Sequence, residues 1–319
     1  RFGWPSRRRL RAAWRKSRPD AVYIATQGPL GWIALGLARQ MGIPTLSGFH
    51  TNFHQYSRYY GAGFLEGIIR RYLVAFHNRC GATLAPTTAV CRELENWGIG
   101  HVHCWSRGVD SRNFTPHRRS GELRARWGVG ERQLAVLYVG RLAAEKNLAQ
   151  AISTFERLKV MHPGARFILV GDGPLREKLQ RSHPDYLFCG TQTGDALARH
   201  YASADLFLFP SQSETFGNVV LEAMASGLGV VAFDHAAAHE HIHDGTNGRK
   251  LAMEDTEGFS LAAMSLADQP TLLGRLRSSA REHAESLDWA VLARSFEQHL
   301  FREAQESLDN DTEQSYAGL

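Results

Sequence analysis

The feature of this chain that most constrains its fold is the regular alternation of short apolar runs with segments of helical periodicity. The apolar runs, such as Leu134–Val139 and Val230–Phe233, have the length of β-strands and are far shorter than the ~20 residues that a membrane span requires. Strands that alternate with helices are typical of βαβ units, and βαβ units build parallel sheets. The sequence therefore predicts an α/β protein with parallel sheets.

Two alternating blocks follow one another along the chain. The predicted strands are Ala21–Thr26, Thr45–Phe49, Ala82–Ala85 and Val102–Trp105, then Leu134–Val139, Ala165–Val170, Tyr186–Cys189, Leu206–Phe209 and Gly229–Phe233. The chain has 319 residues, and single cores usually stop growing at roughly 250. We therefore expect two doubly wound domains, at residues 1–115 and 116–290. A helix at 291–303 and a polar, loosely structured tail at 304–319 should follow them.

Positive charge is concentrated in the first part of the chain. Residues 1–120 contain 18 Lys and Arg against 5 Asp and Glu, a net charge of +13, whereas residues 121–319 contain 19 against 27, a net charge of −8. A basic surface suits an anionic membrane leaflet, a phosphorylated substrate or a nucleic acid, and it is equally compatible with a plain solvated surface. The sequence contains no recognisable nucleic-acid-binding motif, so we expect no nucleic-acid partner.

The four cysteines are scattered along the chain without a CxxC pair. They are Cys80, Cys91, Cys104 and Cys189. This usage is typical of reduced thiols in the cytosol, and it argues against a disulfide framework or a zinc site. The sequence therefore predicts a cytoplasmic protein.

The loop Gly140–Asn147 joins a predicted strand to a predicted helix and carries two cations, Arg141 and Lys146. Ligands of open α/β sheets bind at loops that follow the carboxyl ends of parallel strands. Beside the N-terminus of a helix, an arginine fork and a lysine point charge suit a diphosphate. Taken alone, the loop also fits two solvated side chains.

A second loop, Gly171–Pro174, follows the strand Ala165–Val170. Its glycines allow a tight turn and the close approach of a ligand to the backbone. An ordinary turn between a strand and a helix explains the same residues. This loop alone therefore does not decide between a ligand site and a simple connection.

The third loop brings two carboxylates close together in the sequence. Glu214 precedes a helix that starts near Gly217, and Glu222 lies about a turn into that helix. Both carboxylates can point to the same side, while the backbone N–H groups of Phe216–Asn218 lie at the positive helix end. Carboxylates accept hydrogen bonds from sugar hydroxyls. A surface glutamate and a structural ion pair are the alternative interpretation.

In this order and spacing, the three loops resemble the donor domain of family 4 glycosyltransferases, which have the GT-B fold. The matching stretches are GRLAAEKNL, LVGDGPLREKL and PSQSETFGNVVLEAMASG in the second half, and FHTNFHQYSRYYG and Ser106–Asp110 in the first half. The two stretches of the first half resemble the subgroup that includes lipid-directed α-mannosyltransferases and sulfoquinovosyltransferases. The resemblance covers residues 20–300.

The resemblance implies two Rossmann-like, doubly wound domains facing a cleft, with the acceptor-side domain first and the nucleotide-sugar donor domain second. It further implies a retaining transferase that moves a hexose from a nucleotide-sugar to a hydroxyl of a lipid or glycan. GDP-mannose is the favoured donor, and UDP-linked sugars are the second choice. Two fixed cations would stabilise the departing diphosphate, so no metal or other cofactor is expected.

The resemblance also assigns roles to individual residues. Arg141 and Lys146 match the pair that neutralises the donor diphosphate, and Glu214 matches the position that holds the donor sugar. His50 matches the active-site histidine of the acceptor-side domain and completes the predicted catalytic set, while Glu222 matches the glutamate on the nucleotide ribose. The predicted donor-binding residues are Gly140, Arg141, Lys146, Gly171, Gly190, Thr191, Glu214, Thr215, Phe216, Gly217, Asn218 and Glu222.

One feature of this chain departs from the family pattern, and another resembles the motif of a different class of enzyme. The family opens with a strand, a Gly-rich loop and a helix, and nothing before Ala21 resembles them. The resemblance therefore predicts an N-terminally truncated chain, and the alternative is that the Arg-rich start replaces this first unit. His239–His243 fits the HExxH pattern of zinc proteases. The residues Asp244–Gly245 interrupt the helix that this pattern requires, so no metal site is predicted.

The basic stretch Arg7–Arg18 leaves two interpretations open. It is either a helix that lies on an anionic leaflet at the inner face of the membrane or a plain solvated helix. Two alternatives to a transferase also stay open from the sequence. One is a GT-B sugar-nucleotide epimerase, and the other is a non-catalytic fragment that binds a nucleotide-sugar.

Overall fold

The computed structural model describes residues 6–49, 66–214 and 216–316. The chain forms two compact units. Unit 1 comprises Arg1–Ser106 together with Ala290–Leu319, and unit 2 comprises Arg107–Trp289. Among the described residues, none of the helices combines the length and the apolar character that a membrane crossing requires.

Unit 1 contains a four-stranded, fully parallel sheet in the order β1-β2-β3-β4. Its described elements are α1 (Arg7–Lys16), β1 (Val22–Ile24), α2 (Pro29–Gln40), β2 (Thr45–Gly48), α3 (Glu66–His77), β3 (Ala82–Ala85), α4 (Thr88–Asn96), β4 (Val102–Cys104) and the last helix of the chain. Local sequence explains where these helices begin. Pro29 opens α2, where a missing N–H costs nothing, and the hydroxyl of Thr87 caps α4 by accepting from Val90 N–H at 3.2 Å.

Unit 2 contains a six-stranded, fully parallel sheet in the order β10-β9-β8-β5-β6-β7. Its elements are α5 (Gly121–Arg126), β5 (Ala135–Val139), α6 (Leu148–Met161), β6 (Arg166–Val170), α7 (Arg176–Ser182), β7 (Leu187–Gly190), α8 (Gly194–Ser203), β8 (Leu206–Phe209), α9 (Asn218–Ala225), β9 (Gly229–Phe233), α10 (Ala236–His241), β10 (Arg249–Leu251), α11 (Thr256–Asp268) and α12 (Pro270–Ser286). One large apolar core surrounds this sheet. Parallel strands that are buried on both faces have continuous apolar sequences, and such strands can therefore be predicted from the sequence.

The predicted α/β class with two parallel sheets is confirmed, and each predicted strand is present. The short edge strand Arg249–Leu251 was not predicted, because its charged residues give no apolar run. The two sheets have the topology of Rossmann-like domains.

The C-terminal region differs from the expectation of a short helix and a loose tail. The last helix, α13 (Trp289–Tyr316), continues through residues 304–316, because Glu, Gln, Ala and Leu favour helix and no glycine or proline interrupts them before Gly318. From residue 290 onward this helix belongs to unit 1. The Trp105 indole N–H donates to the carbonyl of Leu292 at 3.1 Å, and the Tyr23 and Phe296 rings pack edge to face at 4.9 Å.

Candidate active site

Four loops leave the carboxyl ends of neighbouring strands in unit 2 and carry the predicted donor-binding residues. The strands β8, β5, β6 and β7 lie side by side in the sheet. The chain runs outward from β5 to β6 and β7 and returns to β8 on the other side of β5, so the strand order reverses between β5 and β8. Such a reversal opens a crevice at the carboxyl edge of a parallel sheet, where ligands bind.

Lys146 and Glu214 reach each other across this reversal. Lys146 ends a short 3₁₀ turn after β5, and its Nζ lies 2.6 Å from Oε1 of Glu214 and 2.7 Å from the carbonyl oxygen of Ser213. The Ser211 hydroxyl donates to the same carboxylate oxygen at 2.8 Å. The lysine and glutamate side chains are only 17% and 16% exposed, so water screens their attraction weakly. The pair is therefore a defined, partly buried element of the site.

Arg141 has a hydrogen-bonded backbone carbonyl and an exposed head group. Its guanidinium is 65% exposed, and Nη1 has a single long contact of 3.4 Å with Oε1 of Glu145. The Tyr138 hydroxyl donates to the carbonyl of Arg141 at 3.1 Å. Burial, together with the nearby Glu214 and Glu145, raises the pKa of Tyr138, so the phenol remains a donor. The guanidinium can therefore turn toward a ligand while its backbone stays in place.

Two glycines are required by the backbone of these loops. Gly171 has φ +136°, and a Cβ there would lie 1.9 Å from the carbonyl oxygen of Gly140. Its N–H donates to the carbonyl of Gly190 at 2.8 Å, so the loops after β5, β6 and β7 pack backbone against backbone. Gly217 has φ +85° directly before Asn218, the first residue of α9. This left-handed turn is cheap only for glycine, and it leaves the N–H groups at the start of α9 facing the loops.

The loops enclose a pocket of about 320 Å³. The predicted site residues that line it are Gly140, Arg141, Lys146, Glu214, Phe216, Gly217 and Asn218. Within the described part of the chain, Oδ1 of Asn218 is buried and has no hydrogen-bond partner. The pocket therefore offers cations and a carboxylate to whatever occupies it.

Glu222 is placed differently from Glu214. It points into the interior beneath α9, where the Tyr201 hydroxyl donates to its Oε2 at 2.9 Å. Burial raises the pKa of Glu222, and the hydrogen bond from Tyr201 opposes that shift. Glu222 is thus not among the lining residues of the pocket, and neither are Gly171, Gly190 and Thr191.

Two of the predicted site residues, His50 and Thr215, lie outside the described residues. Strand β2 ends at Gly48, two positions before His50 in the sequence. Phe216, which follows Thr215, is buried in the unit 2 core and also lines the pocket.

Arg107 is a lining residue that the sequence did not single out as part of the site. Its guanidinium carbon lies 5.6 Å from the centroid of the Phe216 ring, in the geometry of a cation–π contact. Among the described side chains, no carboxylate lies within ion-pair distance of Arg107, whereas Lys146 and Arg141 each have one. The only available signal was the position of Arg107 within the stretch Ser106–Asp110, which matched the family.

The histidines of the HExxH-like stretch do not share one helix face. Helix α10 ends at His241, before His243. Nδ1 of His239 lies 2.8 Å from Oδ1 of Asp234, whereas Nδ1 of His241 lies 3.3 Å from Nε2 of His283. Within residues 6–49, 66–214 and 216–316, no group of three or more His, Cys, Asp or Glu is arranged to hold a metal ion.

Proteins of known structure have the same fold. The chain aligns with the Anabaena protein Alr3699/HepE in complex with UDP at a TM-score of 0.75 and 19% identity, over 93% of this chain and 82% of that one. This similarity shows the fold. The protein is an α/β protein of the GT-B fold with two parallel, Rossmann-like sheets.

Sequence comparison identifies the family. The model described as Glycosyltransferase Family 4 matches residues 1–113, and the one described as Glycosyl transferases group 1 matches residues 133–269. A GDP-mannose-dependent alpha-mannosyltransferase of Mycolicibacterium smegmatis is 35% identical over 280 residues, which are 87% of this chain and 70% of that protein. The sulfoquinovosyl transferase SQD2 of Arabidopsis thaliana is 33% identical over 281 residues, 85% of this chain and 54% of that protein. The chain belongs to glycosyltransferase family 4, and it is a nucleotide-sugar-dependent glycosyltransferase.

Proposed function

We propose that this protein is a retaining, metal-independent hexosyltransferase that moves mannose from GDP-mannose to a hydroxyl of a lipid or glycan acceptor. The observation that carries the proposal is the Lys146–Glu214 pair, which lies at the strand-order reversal and lines the pocket. A cation for the leaving group and a carboxylate for sugar hydroxyls are the two groups that such a donor needs. The choice of mannose and of GDP is supported by the 35% identity to the GDP-mannose-dependent alpha-mannosyltransferase of Mycolicibacterium smegmatis.

In this proposal the donor diphosphate engages Lys146 and Arg141. Lys146 then exchanges part of its contact with Glu214 for phosphate oxygens, and the exposed Arg141 guanidinium turns from Glu145 to the same oxygens. The bond from the anomeric carbon to the phosphate oxygen breaks, and both electrons leave with the diphosphate. The two cations stabilise that developing charge without a metal.

The donor sugar is held by Glu214 and by Oδ1 of Asn218. Both residues line the pocket, and each has a side-chain oxygen that can accept from a sugar hydroxyl once the Asn218 side chain turns toward it. The acceptor hydroxyl attacks the anomeric carbon on the face that the diphosphate leaves, and its proton passes to the departing phosphate oxygen. Retention then needs no protein nucleophile. His50 positions the reacting groups from the acceptor side, and Glu222 serves the nucleotide ribose.

An anionic membrane surface is part of the proposed setting. Helix α1 has no buried residue, and Arg7, Arg8 and Arg9 are exposed on it. Leu10 and Trp14 are half-buried on one face of the helix, and Arg8 and Arg9 lie away from that face. Cations on such a helix attract anionic lipid at about 1 kcal/mol each near the surface. A peripheral position on the inner leaflet would bring a lipid acceptor to the enzyme.

The proposal is tested by calorimetry of the whole chain with GDP, UDP, ADP and their sugars in the presence of EDTA. We expect GDP and GDP-mannose to bind, and Lys146→Ala to weaken both by about 10- to 100-fold, the usual value of a charge-assisted hydrogen bond. Glu222→Ala should also weaken the binding of GDP and GDP-mannose, because Glu222 is proposed to contact the ribose. Mannose transfer to a lipid acceptor should likewise persist in EDTA.

The matched control is Lys159→Ala, because Lys159 is also paired with a carboxylate, Asp185, and does not line the pocket. This control should bind GDP like the original protein. Equal losses of GDP affinity in Lys146→Ala and Lys159→Ala would contradict the proposed site. Tight binding of UDP or ADP in place of GDP would contradict the proposed donor.

A further inference from the structure

Unit 1 contains a second cavity that the proposed reaction does not use. This groove of about 720 Å³ is lined by four arginines, Arg39, Arg70, Arg71 and Arg79, which we call the arginine groove. Its walls also include Asn78, Asn96 and Trp97, at the ends of α3 and α4. No acidic residue of the described chain lines it.

The groove lies at the opposite edge of the sheet from the predicted acceptor side. Arg39 is in the last turn of α2, Asn78 and Arg79 follow α3, and Asn96 ends α4. These helices end where the chain enters β2, β3 and β4, so the groove is at the amino edge of the strands. The carboxyl edge, by contrast, is where β2 leads toward His50. An acceptor at that carboxyl edge would therefore leave the arginine groove unoccupied.

Helix dipoles explain only part of this charge. Arg39 and Arg79 lie near helix C-termini, where a cation is favourable. Arg79 also has structural contacts, since its guanidinium lies 5.6 Å from the Trp32 ring centroid. Arg70 and Arg71 lie in the middle of α3, beyond the reach of its C-terminal dipole. Their presence in the groove needs another explanation.

Within the described part of the chain, no carboxylate forms an ion pair with the groove arginines. Among the described side chains, Arg39, Arg70 and Arg71 form no ion pair, and all three are exposed. Four like charges around one cavity repel each other unless an anion joins them. One wall of the groove is fixed, because the Asn78 side chain donates to the Gly98 carbonyl at 2.8 Å and accepts from Gly100 N–H at 2.9 Å, which joins the end of α3 to the segment after α4.

We propose that the arginine groove binds a phosphate-bearing anion with at least two negative charges. The planar guanidinium fork matches phosphate oxygens two at a time, and several such forks around one cavity favour a phosphate over a carboxylate. The volume is in the usual range for a small-molecule site. The anion is either a soluble diphosphate-like compound or the headgroup of a phosphatidic-acid-like lipid, and both present the same chemistry to the arginines.

The test uses the full chain, pyrophosphate as the soluble probe, and the double variant Arg70→Gln, Arg71→Gln. Calorimetry of the original protein should show two pyrophosphate sites, because the donor pocket also has a lysine and an arginine. The double variant should weaken one site about tenfold or more, as the loss of charge-assisted hydrogen bonds predicts. Lys146→Ala should weaken only the other site, so failure of the donor assignment stays distinguishable from failure of this one.

Arg92→Gln is the matched control, since Arg92 is exposed on α4 and does not line the groove. It should leave both sites unchanged, and thermal unfolding should confirm that all variants are folded. In parallel, sedimentation with phosphatidylcholine vesicles, with and without phosphatidic acid, tests the lipid source. If pyrophosphate binding or vesicle binding depends on Arg70 and Arg71, the groove is an anion site, and the ligand that shows this dependence tells whether the anion is soluble or a lipid headgroup. Pyrophosphate and vesicle binding that are both unchanged in the double variant would overturn the proposal.

Discussion

The two units build their parallel sheets around different interiors. In unit 2 the strands β5, β6, β8 and β9 consist almost entirely of apolar residues, and they are buried in one continuous core. In unit 1 the central strands β2 and β3 are equally buried, yet they contain Thr45, Ser47 and Thr83. A parallel sheet that is covered on both faces normally excludes such residues. The polar residues of unit 1 therefore need partners inside.

Those partners form a network around His77. The Ser47 hydroxyl lies 2.8 Å from Nδ1 of His77 and 3.0 Å from the hydroxyl of Thr83. The Gln27 amide donates to the Gly48 carbonyl at 2.9 Å and lies 3.1 Å from Nε2 of His77. Since that amide nitrogen is a donor, Nε2 accepts and Nδ1 carries the proton. Burial lowers the pKa of His77 to about 4, so the ring is neutral.

The contrast shows two ways of specifying a site. In unit 2, apolar packing holds the strands, and the polar groups of the candidate site are confined to the loops. In unit 1, hydrogen bonds join β2, β3 and α3 close to Gly48, where the chain leads toward His50. A satisfied buried network permits one arrangement of its donors and acceptors. The carboxyl edge of the unit 1 sheet is thus specified by hydrogen bonding, whereas the carboxyl edge of the unit 2 sheet is specified by packing.

The largest predicted effect is the response to acid, and the two units share it, because each contains a buried histidine. Burial lowers the pKa of His77 in unit 1 and of His241 in unit 2 to about 4, and the neighbouring His283 and His243 add to the shift of His241. Because the unfolded chain takes up these protons first, stability is complete above about pH 6.5 and falls as the pH drops toward 4. Each histidine should cost about 3 kcal/mol over that range, at about 1.4 kcal/mol per pH unit.

Calorimetric unfolding across this pH range should show the loss, and His77→Gln and His241→Gln should each remove about 3 kcal/mol of it. His117→Gln is the control, because His117 is exposed. A wild-type stability that stays level between these pH values would contradict the assignment of both histidines as buried neutral groups.

The second prediction compares an isolated buried hydrogen bond with one inside a network. Tyr201→Phe removes the side-chain donor to the buried Glu222 carboxylate and should cost about 1–3 kcal/mol at neutral pH. Ser47→Ala should cost about 1 kcal/mol, because His77 keeps its contacts with Thr83 and Gln27.

Urea unfolding measures both costs. The deficit of Tyr201→Phe should shrink in acid, because burial of Glu222 raises its pKa and a protonated carboxyl is cheaper to bury. A larger cost for Ser47→Ala than for Tyr201→Phe would reverse the comparison, and it would mean that the network of unit 1 fails as a whole when one member is lost.

The same contrast explains what the sequence can predict. The strands of unit 2 are apolar runs and the loops after them carry glycine, cations and carboxylates, so strand positions and the lining residues Lys146 and Glu214 follow from the pattern. The network around His77 does not follow, because its members are separated along the chain and only folding joins them. The helical residues 304–316 were missed because their polarity suggested a loose tail, although their helix propensity is high.

Arg107 gives the smallest predicted effect and sharpens the contrast most directly. It is the first residue of unit 2, and it enters the pocket from the connecting segment and not from a loop that follows a strand. Its contact with Phe216 holds the guanidinium beside the pocket, and among the described residues no carboxylate neutralises it. A bound diphosphate would therefore meet this cation without displacing an existing partner.

Arg107→Gln should raise the KM for the nucleotide-sugar about tenfold, the value of one charge-assisted hydrogen bond, with a smaller change in kcat. Arg112→Gln is the matched control, since Arg112 is exposed in the same segment and does not line the pocket. If both variants keep the original KM, Arg107 only packs on Phe216, and the charge of the donor pocket comes entirely from the loops after the strands. If KM rises in Arg107→Gln alone, the segment that contains Arg107 belongs to the proposed donor site. The loops that follow the apolar strands then supply only part of that site.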